Sequence, residues 1–203
     1  THLLGNHLFA NAKALVFAGL FFTGKESDGW YQTGLNIIEK ELLEQVLPDG
    51  GNFELSPMYH SIFLEDLLDL VNIHHTFNKE TISGVEDKIP LMLYWLKSMC
   101  HPDGGVSFFN DTAFGVAPSL DELLDYAKRL SIKNISEKVK TLGYLKDSGY
   151  IRVERENLVV MLDVANIGPD YIPGHGHADV LSFELSLFGK RVIVNSGTSI
   201  YGT

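Results

Sequence analysis

At 203 residues with 45% hydrophobic content, the chain carries enough apolar sequence for a sizeable core and does not read as disordered. A formal net charge of −10 argues against a nucleic-acid binder, which carries a basic face, but leaves room for a local basic cleft that takes an acidic sugar. The single cysteine, Cys100, excludes an internal disulfide framework and a Cys-based zinc site, and no apolar run approaches the ~18 residues of a membrane span.

The chain begins without Met, about where a helix begins, and reads as a segment of a longer protein. From Leu3 to Phe22 a broad apolar face (Leu4, Leu8, Ala12, Leu15, Val16) predicts a largely buried helix. Asp28 is a candidate cap for a second helix through Val46. A third is expected from Met58 to Val71. A fourth spans Val85 to Met99, with Pro90 in its first turn or breaking it. A fifth follows Ser119, which forms a capping box with Glu122.

Leu47-Pro48-Asp49-Gly50-Gly51 and His101-Pro102-Asp103-Gly104-Gly105 echo each other 54 residues apart (48 to 102). A helix-pair repeat of that length suits an α/α toroid or a related helical array; a common helix-stopping turn is the simpler account, and both stay open. The period then changes. Tyr150–Arg155 alternates, and Leu158–Val164, Leu181–Leu187 and Arg191–Val194 are rich in strand formers, the last two joined by a turn at Phe188-Gly189-Lys190. The fold expected is an α+β multidomain one: a partial α/α toroid over residues 1–135, then about four strands of an incomplete antiparallel β-sandwich over 144–203.

Four clusters are candidates for chemistry. Asn6-His7 opens the first helix. Glu54, Tyr59 and His60 follow the first Pro-Asp-Gly-Gly turn. His175 and His177 lie two residues apart between glycines, ahead of a strand. Asn195-Ser196-Gly197-Thr198 ends a strand. Imidazole is suited to proton transfer or metal ligation near neutral pH, and glycine allows the unusual backbone such a loop needs.

In this order, Gly5-Asn6-His7, the Pro-Asp-Gly-Gly turn, Ser56-Pro57-Met58-Tyr59-His60, His175-Gly176-His177-Ala178-Asp179 and Val194-Asn195-Ser196-Gly197-Thr198 resemble the heparinase II/III-like polysaccharide lyases over nearly the whole chain. The resemblance implies an α/α toroid followed by a β-sandwich, and β-elimination on a uronic-acid-containing polysaccharide. It implies catalytic roles for Asn6 (neutralising the substrate carboxylate, with His7 as helper), for Tyr59 (base, acid or both) and for His175. Glu54 and His60 are expected to bind substrate. No cofactor is required for the reaction. His177 falls where some relatives bind a structural zinc, and Asn195 stands where the second ligand is usually Asp. Leu55 stands where relatives often carry Arg, which argues for a substrate less charged than a highly sulfated one. The resemblance also implies an acidic polysaccharide partner and a periplasmic or secreted location; it leaves the oligomeric state open.

Three rivals remain at this point. The run His175-x-His177-x-Asp179 superficially matches a metal-dependent hydrolase. Asp49, Glu54 and Asp103 offer paired carboxylates for a toroidal glycoside hydrolase. A carbohydrate-binding protein that kept the fold without catalysis is the third.

Overall fold

Gly5 starts the first helix because its backbone turns into a region (φ 61°) that few side chains tolerate. In the computed structural model, which describes residues 4–172 and 174–198, α1 runs Asn6–Phe21 and α2 runs Lys25–Gln45. Leu3 and Pro173, to which the expected first helix and histidine loop extend, lie outside the described residues. The α2 helix begins ahead of the expected cap: Gly24 holds the cap position, and Asp28 lies in the first turn with Glu26, where negative charge suits the helix dipole.

Helix α3 (Pro57–Thr76) starts on a proline, which needs no amide partner there, and runs past Val71 to Thr76. Helix α4 (Val85–Ser98) departs from expectation. Pro90 lies inside it, beyond the first turn, and the helix continues. Burial of Ile89, Met92 and Leu93 against the other helices outweighs the one lost backbone bond. Helix α5 (Leu120–Arg129) has the expected capping box between Ser119 and Glu122.

The five described strands are β1 (Leu142–Leu145), β2 (Tyr150–Arg155), β3 (Leu158–Asp163), β4 (Phe183–Leu187) and β5 (Lys190–Ile193). They form one antiparallel sheet in chain order. Strand β1 was not foreseen; its four residues are too few to show alternation. Phe188 and Gly189, both with positive φ, make the tight β4–β5 turn, so Lys190 already belongs to the strand.

The two Pro-Asp-Gly-Gly segments are structural equivalents. Leu47 N–H donates to Gly51 O at 2.9 Å, and His101 N–H to Gly105 O at 2.9 Å. Asp49 Oδ1 accepts from Gly51 N–H, and Asp103 Oδ1 from Gly105 N–H. Gly50 and Gly104 share a positive φ of 92° and 84°. The repeat is therefore real in three dimensions.

What the repeat does is seat the sheet. Asp49 Oδ2 accepts hydrogen bonds from Asp147 N–H, Ser148 N–H and Ser148 Oγ in the β1–β2 turn. Asp103 pairs with Arg191 of β5. Hydrogen bonds to a charged acceptor contribute about 1.5–3 kcal/mol each. Both carboxylates are thus committed to joining helices to sheet, which removes them from the acid–base pair that a glycoside hydrolase would need.

A polar seam runs along the same boundary. Arg152 of β2 donates to Ser98 O and Cys100 O at the C-terminal end of α4, where helix carbonyls attract cations. Fully buried Glu184 of β4 accepts from His101 Nε2 at 2.6 Å, and its other oxygen accepts from Phe108 N–H and Asn195 N–H. A buried charge needs this many partners to offset its lost hydration. Between these seams, Leu55, Trp95, Met99, Phe109, Tyr150 and Met161 form an apolar core shared by helices and sheet. The helical and sheet portions are accordingly fixed to each other beside the loops that carry the candidate site.

Candidate active site

Three segments far apart in sequence meet at Glu54. Its Oε1 accepts the Asn6 N–H at 3.1 Å, at the positive end of α1. A Cβ added to Gly5 would lie 2.3 Å from the same oxygen, so the approach requires glycine. Its Oε2 lies 3.4 Å from His175 Nε2. Glu54 is only 3% exposed, so it does not reach substrate as expected; it holds the start of α1 against the histidine loop. Burial, offset in part by His175, pushes its carboxyl pKa up.

His175 is hydrogen-bonded at one nitrogen and faces a carboxylate at the other. Its Nδ1 bonds Asp111 Oδ2 at 2.6 Å, while Nε2 faces Glu54. Burial opposes the charge on this imidazole, but the Asp111 hydrogen bond and the two carboxylates outweigh it, so its pKa stands above the usual histidine value. The Tyr59 ring packs against it in a tilted arrangement, with centroids 3.8 Å apart and planes at 33°. Tyr59 sits in the first turn of α3, directly after the Ser56-Pro57 helix start. His7 is exposed, one residue beyond the Asn6 anchor.

His60 departs from its expected substrate-binding role. It is 0% exposed, accepts from Asn52 N–H through Nδ1, bonds Met92 O through Nε2, and stacks on Trp95. Consecutive helical residues point about 100° apart, so Tyr59 and His60 cannot both face the cleft. Burial lowers the His60 pKa to about 3, against an ordinary value of 6.5. The unfolded chain therefore binds one more proton than the fold between those values. This stabilisation is fully present above pH ~6.5 and is lost as pH falls towards 3, at about 1.4 kcal/mol per unit. Replacing His60 with Gln in the full-length protein is expected to flatten the pH dependence of the urea midpoint by about one proton between pH 4 and 6. An unchanged slope would show that His60 titrates normally in the fold.

Leu55 also turns inward: it is 5% exposed, has a φ of 61°, and packs in the shared core. Its apolar side chain also borders the cleft described below and brings no cation to it.

The loop following β3 is fixed at several points. Tyr171 packs on Phe53 and donates to Glu44. His177 N–H donates to Asn110 Oδ1, and Asp179 Oδ2 accepts from Asn110 N–H. Asn110 and Asp111 went unnoticed in sequence, since Phe108–Thr112 shows no periodicity and the side-chain partners of these two residues lie 40 or more residues away. Beside this loop, a cleft between helices and sheet has a volume of about 350 Å³ and is bordered by Phe53, Leu55, Tyr144, Lys146 and Ser148; Asn6, His7, Tyr59 and His175 are not among its lining residues.

His177 and Asn195 do share a small recess of about 190 Å³, with Phe108 and Asp179. Asn195 Nδ2 donates to Ser182 Oγ, and His177 Nε2 lies 3.4 Å from Thr198 Oγ1. Among the described residues no three His, Cys, Asp or Glu side chains are arranged to hold a metal ion. A structural zinc takes about four strong donors, and the described part of this recess offers fewer: the His177 imidazole, the neutral Asn195 amide and the Asp179 carboxylate, one oxygen of which is already bonded to Asn110 N–H. The metal-hydrolase rival loses its footing for the same reason: His175 is engaged by Asp111 and Glu54, while His177 faces a different recess.

Comparison with known proteins agrees with this architecture. The heparinase II/III N-terminus family model matches residues 2–131, and the heparinase II/III-like C-terminal model matches residues 137–203. A heparin-sulfate lyase of Pedobacter heparinus is 33% identical over 97% of this chain and 32% of its own length. One from Bacteroides stercoris is 28% identical over the same shares. The chain spans about a third of the length of these relatives. The crystal structure of the heparan sulfate lyase HepC from Pedobacter heparinus superposes with a TM-score of 0.76 at 23% identity, covering 98% of this chain and 34% of that one. A heparinase III crystal structure superposes with a TM-score of 0.83 at 19% identity, covering 98% and 36%. The helices and sheet described above are thus part of a toroid and part of a β-sandwich, and the chain belongs to the heparinase II/III family.

Proposed function

We propose that the protein containing this chain is a polysaccharide lyase that cleaves a uronic-acid-containing glycan by β-elimination. The observation that carries this reading is the packing of Tyr59 against His175, itself tied through Glu54 to the Asn6 helix start. The relatives named as heparin-sulfate lyases make an acidic glycan of that class the first substrate to try.

The chemistry needs three things. The C5 proton beside the uronate carboxylate must leave, the carboxylate must be neutralised so that charge can spread into it, and the departing O4 must gain a proton. The Asn6 side chain, with His7 beside it, neutralises the carboxylate. Tyr59 removes the C5 proton and returns one to O4: the C5–H and C4–O bonds break while the C4=C5 bond forms. Free phenol is weakly basic in this sense, with a pKa of about 10, and needs a neighbouring positive charge. His175, held towards its protonated form by two carboxylates, places that charge against the Tyr59 ring. We assign His175 this electrostatic support rather than a base role.

The test is to incubate the full-length protein with heparan sulfate, heparin and unsulfated uronate polymers, following the ultraviolet absorbance of the unsaturated uronate. Growth of that absorbance is expected for at least one polymer. New reducing ends without it would make the protein a hydrolase and defeat the proposal.

A further inference from the structure

Among the groups at this site, Asp111 is the one for which neither sequence pattern nor the reaction itself supplies a role. It lies on the segment Phe108–Thr112, which crosses between the helices and the sheet and contacts both. On the helical side, Asn110 Nδ2 donates to Leu55 O, and Thr112 Oγ1 accepts from Met58 N–H, one residue before Tyr59. On the loop side, Asn110 takes the His177 N–H and donates its own to Asp179, and Thr112 O accepts from Thr198 N–H. Asn110 holds a left-handed backbone (φ 55°), a conformation that Asn tolerates better than most residues. The segment is therefore fixed at both neighbours of Asp111. Its carboxylate has a set position, 2.6 Å from His175 Nδ1.

We infer that Asp111 is a positioning residue for His175: its carboxylate fixes the imidazole's rotation and proton arrangement so that the ring packs against Tyr59. This rests on the lyase reading above. The argument is geometric. An imidazole on a loop can rotate about two side-chain bonds; a hydrogen bond at one nitrogen fixes the ring plane and keeps a proton on that nitrogen. Glu54 approaches the opposite nitrogen at 3.4 Å, too long to hold the ring alone. Asp111 is therefore the stronger of the two orienting contacts. Its placement on the crossing segment ties the His175 ring to the same rigid strip that supports the start of α3, and hence Tyr59.

The experiment is a double-substitution cycle in the full-length protein, on whichever uronate polymer it cleaves. Asp111→Asn, nearly the same shape, is expected to lower kcat about 10–100-fold with KM within about threefold, as for loss of an outer partner of a functional histidine. Combined with His175→Ala, it is expected to cost nothing further, because its effect passes through that ring. Added formate is expected to restore part of the activity of Asp111→Ala, and this readout holds even if the Asn variant is destabilised. A fall in kcat that adds fully to that of His175→Ala would overturn the inference, as would a parental kcat in Asp111→Asn or an absence of formate rescue. Failure of the lyase reading shows separately, as a parent protein without unsaturated product or a His175→Ala variant as active as the parent.

Discussion

Substitution of His175 by Ala in the full-length protein is expected to lower kcat on its uronate polymer by about a thousandfold, within the range for removal of a single group that stabilises developing charge or moves a proton. The size follows from what the ring does at once. It packs against Tyr59 at 3.8 Å and sits between Glu54 and Asp111. Removing it takes away the positive charge and leaves two acidic side chains facing the reaction centre, which would discourage both a phenolate and the approach of an anionic sugar. A change confined to KM, with kcat kept, would mean that His175 only binds substrate. The same variant is expected to keep its thermal midpoint within a few degrees, since the loop is held independently by Tyr171, Asn110 and the Asp163–Ser182 backbone bonds.

The helices were legible because each buries one face over several turns, and their caps use side chains with specific chemistry, as at Ser119 and Glu122. Strand β1 was not legible because Leu142–Leu145 gains its pairing from β2 rather than from its own pattern. At the site, residue types were readable but directions were not. Tyr59 and His60 are adjacent, and only packing against Trp95 and Met92 decides which of them turns inward. Glu54 was recognised as an acid near the cleft, yet its role depends on the approach of Gly5, 49 residues earlier (5 to 54). Asp111 carries no local signal at all; its meaning comes from a loop 64 residues later. The echo of the Pro-Asp-Gly-Gly turns was visible in sequence. Its purpose was not, because the second oxygen of each aspartate is used by the sheet that folds against it, at the β1–β2 turn for Asp49 and at β5 for Asp103.

Substitution of Tyr59 by Phe is expected to be the most damaging small change in the protein, lowering kcat by about a thousandfold to ten-thousandfold while KM stays within a few fold. Only one oxygen is lost, and the ring that packs against His175 remains, so the site should keep its shape. The reaction, however, loses the group that takes the C5 proton and returns one to O4, and among the described residues His60, Glu54 and His175 are poorly placed to replace it. His60 is buried with both nitrogens engaged inside the protein, and Glu54 is turned towards the Asn6 amide and the His175 ring. His175, favoured in its protonated form, is a poor substitute base. Its charge sets a further expectation. Because its pKa is raised, the support it gives a Tyr59 phenolate is present at low pH and is lost as pH rises through that value. Phenolate formation itself needs higher pH. The parent should therefore show a bell-shaped dependence of kcat/KM, in which the alkaline limb belongs to His175. If Tyr59→Phe retained parental kcat, the proton would be moving through another residue, and the assignment of this pair as the reaction centre would fall with it.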